Sequence, residues 1–600
     1  MSSSTAAPDA ALAAGPNLRE PDWWRTAVVY QVYPRSFSDS DGDGVGDIPG
    51  ITARLDHLAD LGIDVLWLSP VYRSPMDDNG YDISDYQDVD PSFGTLADLD
   101  ALVAACHDRG IRLVMDLVVN HTSDEHPWFV ESRDPRSPKR DWYWWRPARP
   151  GHEAGTPGAE PNNWGAAFSG PAWHLDETSG EYYLHLFSPK QPDLNWENPE
   201  VRQAVYAMMR WWVERGVDGF RMDVINFISK DVTLPDGPVA PGAPYGSAFP
   251  GSANGPRLDE FLAEMHAAVG LGEQHLLTVG EMPGSTIEVA RRVTDPARDE
   301  LNMVFTFEHV DLDVVPGGTK WDLADLPLPV LKRNLESWQL GLADVGWNSL
   351  YWNNHDQPRA VSRFGDDGPE HRVSSAKTLA TVLHLHRGTP FVYQGEELGM
   401  TNAGFAQIEQ YRDIESVNHH AAALELGASA EGILRSLSVK SRDNARTPMQ
   451  WDDSPHAGFT TGEPWLAVNP NHTSINVAAA QSDPASVLAH YRDLIALRHT
   501  EPVVSEGDFE LLLPDHEQLW VIRRTHGGRQ LLVVANCSSQ PCSLAGDAEP
   551  SSEGDLTALQ ALRALVADED VDVLLPTHPD RRGLELAPWE SRVYASGASV

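Results

Sequence analysis

The stretch DGFRMDVI, residues 218–225, is an apolar run interrupted by two charges, Arg221 and Asp223. A strand buried on both faces reads as such a run. Side chains two residues apart share a face of a strand, so Arg221 and Asp223 point the same way. Outward from this stretch similar runs recur: AVVYQVYP from Ala27, VLWLSPV from Val65, RLVMDLVV from Arg112, LLTVGEM from Leu276, NMVFTFE from Asn302, NSLYWNNH from Asn348 and TPFVYQGEE from Thr389. Between them lie amphipathic helical patterns such as TARLDHLADLG, TLADLDALVAACHDRG, PEVRQAVYAMMRWWVERG and SSAKTLATVLHLHRG, and VLAHYRDLIALRHT closes the series. Several end in glycine, the usual helix stop. The second opens with Thr95, a suitable N-cap. Eight strands alternating with eight helices predict an α/β fold, a (β/α)8 TIM barrel.

Such barrels carry their active sites at the C-terminal strand ends. There the runs turn hydrophilic, at Asp223, at Glu281 in LLTVGEMPG and at Asp356 in YWNNHDQPR. Buried acids are costly, so three of them at strand ends mark a built site. A nucleophilic carboxylate and a carboxylic acid roughly 5 Å apart are the equipment for cleaving a glycoside with retention. Arg221 beside Asp223 favours its ionised form. Glu281 must stay protonated, which calls for desolvation around it.

The 600 residues carry 45 Lys and Arg against 88 Asp and Glu, a formal charge of −43. That disfavours nucleic acid and anionic membranes as partners. Only three cysteines are present, Cys106, Cys537 and Cys542, too few and too odd for a disulfide framework. The N-terminus lacks the basic and apolar regions of a signal peptide and no stretch is as long as a membrane span, so the expected location is cytoplasmic. The expected domains are a disordered tail (1–21), a catalytic barrel (22–121 and 199–500), an inserted subdomain after the third strand (122–198) and a C-terminal all-β sandwich domain (501–600). The insertion shows no clear helix and is dense in Trp, Pro, Gly and Asn. Two more insertions follow the fourth strand (233–256) and the eighth (402–462). In the terminal domain, QLWVIRRT and QLLVVANCS flank His526-Gly-Gly-Arg as a hairpin, and the acidic segment Asp547–Asp570 reads as a surface loop.

Four segments, DLVVNHTS (116–123), GFRMDVIN (219–226), VGEM (279–282) and NNHDQPR (353–359), resemble in order the motifs of α-amylase-family (family 13) glycoside hydrolases. QPDLN (191–195) and RDNARTPMQWD (442–452) are similar to the oligo-1,6-glucosidase and α-glucosidase branch. The resemblance implies that Asp223 is the nucleophile, Glu281 the general acid/base and Asp356 the transition-state stabiliser. It implies that Arg221, His121 and His355 bind the terminal glucose, that Asp82 and Arg442 close the pocket, and that Phe168 stacks on the sugar ring. Asp116 and Asn120 are expected to organise the barrel mouth. The cluster Trp142, Trp144 and Trp145 is expected to be packing.

Residues 39–47 read DSDGDGVGD, with oxygen ligands at alternate positions and glycines for the turn, which suits a hard cation. Position twelve is Gly50 and not the EF-hand glutamate. The resemblance implies a structural divalent cation here, Ca²⁺ or Mg²⁺, held by Asp39, Asp41, Asp43, Asp47 and the Val45 carbonyl, and no cofactor for catalysis.

Val224 follows the nucleophile. In resembling enzymes valine here accompanies α-1,6 cleavage, while threonine or alanine accompanies α-1,4. A methyl-sized difference in a pocket is worth about 1–3 kcal/mol, a bias. The expected function is a retaining, exo-acting α-glucosidase on short oligosaccharides, biased to isomaltose-type α-1,6 linkages. Alternatives are an α-1,4-preferring maltase, a transglucosylase or isomerase of the trehalose synthase or sucrose isomerase type, and, remotely, a non-catalytic binding subunit. The chain reads AVSRFGDDG where sucrose isomerases carry an arginine-rich segment.

Overall fold

The computed structural model describes residues 21–544, 560, 563–564, 571–575 and 584–597. The tail and nearly all of the acidic segment Asp547–Asp570 lie outside the described residues. Eight parallel strands form one sheet: β1 (Val29–Val32), β2 (Val65–Leu68), β3 (Arg112–Val118), β4 (Gly219–Asp223), β5 (Leu277–Glu281), β6 (Met303–Phe305), β7 (Ser349–Leu350) and β8 (Thr389–Tyr393). Their order is β6-β5-β4-β3-β2-β1-β8-β7. One parallel bridge, Val304 to Asn348, joins the two ends and closes the barrel. β6 and β7 are shorter than their apolar runs suggest. Past Leu350 the β7 run leaves the sheet, and Tyr351 OH instead donates to Thr306 O at 2.6 Å.

Strand parity sorts the side chains. Val29, Val65, Trp67, Val114, Leu277, Val279, Met303, Phe305 and Phe391 fill the barrel interior, as bulky residues do in such barrels. Their neighbours Val28, Tyr30, Leu66, Leu113, Met115, Phe220 and Met222 belong to a second cluster shared with the surrounding helices. Continuing the inward parity by two residues brings Asp116, Arg221, Asp223 and Glu281 to the barrel axis. Registers Asp116 to Arg221 and Arg221 to Val279 set β3, β4 and β5 side by side. Gly219 permits this approach, because a Cβ there would lie 2.2 Å from Leu277 O. Thr95 caps its helix as expected, accepting from Asp98 N while Asp98 reaches back to the Thr95 backbone.

The insertion after β3 holds a three-stranded antiparallel sheet, with Glu181–Leu184 between Trp145–Arg146 and Trp173–Asp176. It also contains a short helix, Pro127–Ser132, that the sequence pattern conceals. The helix stands because His126 caps Trp128 N and Pro127 sits in its first turn. Trp142, Trp144 and Trp145 are buried, Trp144 in the subdomain's own core and the other two in the main cluster.

C-terminally, five antiparallel strands run in the order Asp508–Leu512, Leu519–His526, Arg529–Asn536, Ser591–Ser596 and Asp572–Leu574. A ribbon of Cys542–Ser543 with Glu585–Leu586 lies beside them. The hairpin turns on Gly527 and Gly528, both at positive φ (56° and 87°), as a two-residue turn of this hand requires. One sheet face packs on barrel side chains such as Trp352, Leu379 and Leu383. The other forms its own small core with Leu544 and Leu586. No helix among the described residues is long and apolar enough to cross a membrane.

Candidate active site

At the C-terminal end of the barrel a cavity of about 150 Å³ is lined by Asp223, Val224, Glu281, Asp356, His121, Phe168 and Arg442, together with Asp78, Tyr81 and Phe187. Arg221 is fully buried behind it. Its Nη1 donates to Asp116 Oδ1 at 2.7 Å and to Asp223 Oδ1 at 2.8 Å, and its Nη2 lies 2.7 Å from Glu281 Oε2. One guanidinium therefore faces three carboxylates. Asp116 is tied further by Trp67 Nε1 and Tyr81 OH, so it braces Arg221 and does not enter the cavity.

The sequence predicts that Arg221 keeps Asp223 ionised; the shared guanidinium falls short of that. Burial pushes Asp223 up to about 7 against Arg221, with Asp116 adding like-charge repulsion. Burial pushes Glu281 further, to about 8, against Arg221 and with Asp223 adding to the rise. With one guanidinium between them the two carboxyls titrate as a coupled pair, and double displacement needs that pair to carry one proton, with Asp223 ionised and Glu281 protonated.

Val224 sits at φ 34°, ψ 43°, left-handed backbone that a β-branched residue seldom adopts. The strain is of order 1–3 kcal/mol. It turns the Val224 N–H onto Glu281 Oε2 at 3.0 Å, linking the two catalytic strand ends through the backbone.

Asp356 lies on the loop after β7. Burial opposes its ionisation, but Arg442 at 3.3 Å and Arg446 at 2.8 Å outweigh it and hold the carboxyl well below the usual carboxylate range, with the His355 ring 3.2 Å away. His355 itself is sandwiched near Tyr81 and Tyr33 and contacts Gln31 Nε2 at 2.8 Å. Burial lowers its pKa to about 3. His121 is likewise buried and lowered to about 4, with Tyr81 O at 3.1 Å and the Phe187 ring beside it. Phe168 lines the cavity with the Arg442 guanidinium 4.9 Å from its ring centre.

Asp82 is not at the cavity. Its carboxylate accepts from Asp77 N, Asp78 N and Ser74 Oγ, closing a turn. Asp78 takes the place expected of it and pairs with Arg442 Nη2 at 3.0 Å. Asn79 and Gly80, both at positive φ (51° and 106°), reverse the chain between the two acids; the Asn-Gly pair is the sequence signal for that reversal. Arg446 also went unrecognised. It follows Arg442 by four residues in RDNAR, the spacing that puts two side chains on one helical face. Buried Asp413 holds both, Arg442 at 2.9 Å and Arg446 at 2.6 Å.

Away from the cavity, Asp39, Asp41 and Asp43 bring carboxylate oxygens within 4.8 Å of one another. Burial, with Asp41 and Asp39 beside it, raises Asp43. All-oxygen donors packed this closely suit a hard cation. Asp47 is engaged otherwise, accepting from Gly50 N at 2.6 Å and from Ser40 as the cap of helix Ile48–Ala53. Val45 N donates to Asp43 Oδ1 at 2.8 Å.

Residues 31–507 match the family described as alpha amylase, catalytic domain. An oligo-1,6-glucosidase of Halalkalibacterium halodurans is 54% identical over 577 residues, 95% of this chain and 98% of that protein. An oligo-1,6-glucosidase of Parageobacillus thermoglucosidasius is 54% identical over 574 residues, with the same coverage of each chain. Among solved structures, a mutant trehalose-6-phosphate hydrolase of Bacillus licheniformis superposes with a TM-score of 0.87 at 43% identity, covering 96% of this chain and all of that one.

Proposed function

Because the chain belongs to the α-amylase family of glycoside hydrolases, we propose that it is a retaining, exo-acting α-glucosidase that releases glucose from short α-1,6-linked oligosaccharides. The observation that carries this reading is the pair Asp223 and Glu281, both held by Arg221 at the mouth of one small cavity that Asp356 also lines. Asp223 attacks C1 of the terminal glucose, and the C1–O bond breaks as Glu281 passes its proton to the leaving oxygen. Water then attacks the glycosyl ester, Glu281 takes the proton of that water, and Asp223 leaves as carboxylate. Asp356, kept ionised by Arg442 and Arg446, faces the positive charge that develops at the ring. The Asp78–Arg442 ion pair beside Phe168 supports an exo mode, since it walls a cavity of only about 150 Å³.

The α-1,6 preference rests on Val224 and on the oligo-1,6-glucosidases that share half of this sequence. Initial rates on isomaltose, maltose, sucrose and trehalose test it: isomaltose should be turned over fastest with glucose as the product, and a clear maltose preference would refute the linkage. Asp223→Ala should lose turnover by at least about 10³-fold, and near-normal activity would refute the mechanism.

Asp39, Asp41 and Asp43 would hold a structural Ca²⁺ or Mg²⁺, which when bound supplies charge neutralisation to the loop and no chemistry. Chelation should lower the thermal midpoint and calcium restore it, by about 2.7 kcal/mol at a hundredfold excess over Kd; an unchanged midpoint would refute the site. A chain with only three cysteines carries no disulfide framework, in keeping with the reducing cytoplasm we propose as its location.

A further inference from the structure

Asp356 lines the catalytic cavity, and two cations stand behind it. Arg442 Nη1 at 3.3 Å and Arg446 Nη2 at 2.8 Å both reach the same oxygen, Oδ1. Two guanidinium groups on one carboxylate leave a positive excess beside the place where cleavage develops positive charge, and like charges repel. The compensation comes from Asp413. Its Oδ1 takes Arg442 Nε at 2.9 Å and its Oδ2 takes Arg446 Nη1 at 2.6 Å, so each oxygen holds one arginine. The Asp413 side chain is fully buried and lies outside the cavity lining.

The other acids near the two arginines do not supply this charge in full. Burial pushes Asp78 up to about 7 against Arg442, so near neutrality it is only partly ionised. Glu415, 3.6 Å from Arg442 Nε, is shared with Lys320. Burial opposes ionisation of Asp413 as well, but Arg442 and Arg446 hold its carboxyl below the usual carboxylate range. Local structure fixes its place. Asp413 caps the helix Ile414–Glu425, accepting from Glu415 N at 3.0 Å. Asp443 grips the same turn, accepting from Arg412 N at 2.7 Å, from Asp413 N at 3.1 Å and from the Ser416 hydroxyl at 3.0 Å.

We propose that Asp413 is a positioning residue for glycoside cleavage, neutralising Arg442 and Arg446 from outside the cavity so that the charge of Asp356 is left for the cationic ring. This rests on the glycosidase reading above and adds to it a residue that acts through two arginines. Its charge matters more than its shape. A unit charge about 10 Å away, at an effective dielectric of about 20, changes the affinity of a cation by more than about tenfold.

Binding of 1-deoxynojirimycin, protonated at its ring nitrogen, and of its neutral ring-oxygen counterpart 1,5-anhydroglucitol to the full chain tests the proposal. The ratio of the two affinities, cation over neutral, reads charge and cancels any loss of shape common to both. Asp413→Asn should lower the ratio at least about tenfold. On an aryl α-glucoside its kcat should fall by a similar factor with KM moving less, since the ring charge develops only in the transition state. Arg446→Met removes a cation and should raise the ratio, and adding Asp413→Asn to it should return the ratio to near that of the unchanged chain. If Asp413→Asn alone does not fold, Arg446→Met and the double variant carry the test, because they differ only in the Asp413 charge: the single variant should show a ratio at least about tenfold higher. A ratio unmoved by Asp413→Asn, lowered alike by both single variants, or equal in Arg446→Met and the double variant would overturn the proposal. If the unchanged chain itself bound the two compounds equally, the glycosidase reading would fall and this proposal with it. A chain that prefers the cation but keeps that preference in Asp413→Asn would lose only the role of Asp413.

Discussion

Arg221 sets the chemistry by being shared. A guanidinium devoted to one buried carboxylate would hold it ionised far below neutrality. Divided among Asp116, Asp223 and Glu281, it leaves burial the larger influence on each, and the three titrate as a unit around one cation. The active form carries Asp223 ionised and Glu281 protonated. Activity should therefore be lost as pH falls through about 7 and protonates Asp223, and lost again as pH rises through about 8 and deprotonates Glu281. A kcat/KM profile on an aryl α-glucoside should be bell-shaped between those limbs. Glu281→Gln should remove the alkaline limb and lower kcat by about 10²–10⁴, and a variant that retains that limb would assign it to another group. The inward direction of Arg221, Asp223 and Glu281 was legible in the sequence because strand parity is local. The choice of Asp78 over Asp82 was not. It depends on a two-residue reversal at Asn79 and Gly80 that carries one acid to the cavity and turns the other onto its own backbone.

Among the elements, the join between inserted subdomain and barrel, which also has backbone bonds such as Leu194 N to Asn120 O, contains one buried cation. Lys230, after β4, is fully buried, with its Nζ 2.9 Å from Asp193 Oδ2 and 2.9 Å from Asn120 Oδ1, and it also donates to Phe227 O. Asp193 belongs to the QPDLN segment of the insertion and Asn120 to the end of β3, next to His121. Burial lowers Lys230, and Asp193 opposes that shift. Removing the cation alone strands Asp193, fully buried, with its charge uncompensated, which costs about 3–5 kcal/mol. Lys230→Met should accordingly lower the denaturation midpoint steeply, and adding Asp193→Asn to it should recover much of the loss. A Lys230→Met chain as stable as the original would show that the subdomain is anchored by its apolar contacts alone. QPDLN was visible in the sequence as a motif. Its lysine partner was not, because nothing local pairs residues 193 and 230 across two loops. The helix Pro127–Ser132 escaped for a related reason: it is held by a histidine cap and tertiary packing and lacks an amphipathic stripe.

For the molecule as a whole, the β/α alternation was readable from end to end because buried parallel strands leave unbroken apolar runs, while the barrel's seam depends on a single bridge between β6 and β7 that no local pattern encodes. The closed interior has a consequence for pH. His121, His185, His309 and His386 are lowered to about 4, and His126, His355, His384 and His490 to about 3, burial being the leading cause in each. Their unfolded value is about 6.5. The native state keeps them neutral, so the stability they contribute is complete above about 6.5 and is lost as pH falls toward 3–4, by about 1.4 kcal/mol per pH unit for each group that only the unfolded chain protonates. The carboxyls that burial raises work the other way. Asp116 and Asp443 at about 6, Asp78, Asp223 and Glu300 at about 7, and Glu281 and Glu396 at about 8 hold protons that the unfolded chain releases near 4. The stability contributed by native protonation of these groups is complete below about 4 and is lost as pH rises from there through the raised values of 6 to 8. The two sets offset each other between about 5 and 6.5. Above that window only the carboxyls change, and below about 4 only the histidines still oppose folding, joined by the loss of ionised pairs such as Asp356 with its arginines. The thermal midpoint, followed by differential scanning fluorimetry, should therefore peak between about pH 5 and 6.5, decline gradually toward pH 8 and collapse below about 4. A midpoint that climbed steadily from pH 6 to 8 would mean that the raised carboxyls are ionised in the native barrel, and with them the separation of Asp223 from Glu281 would fall.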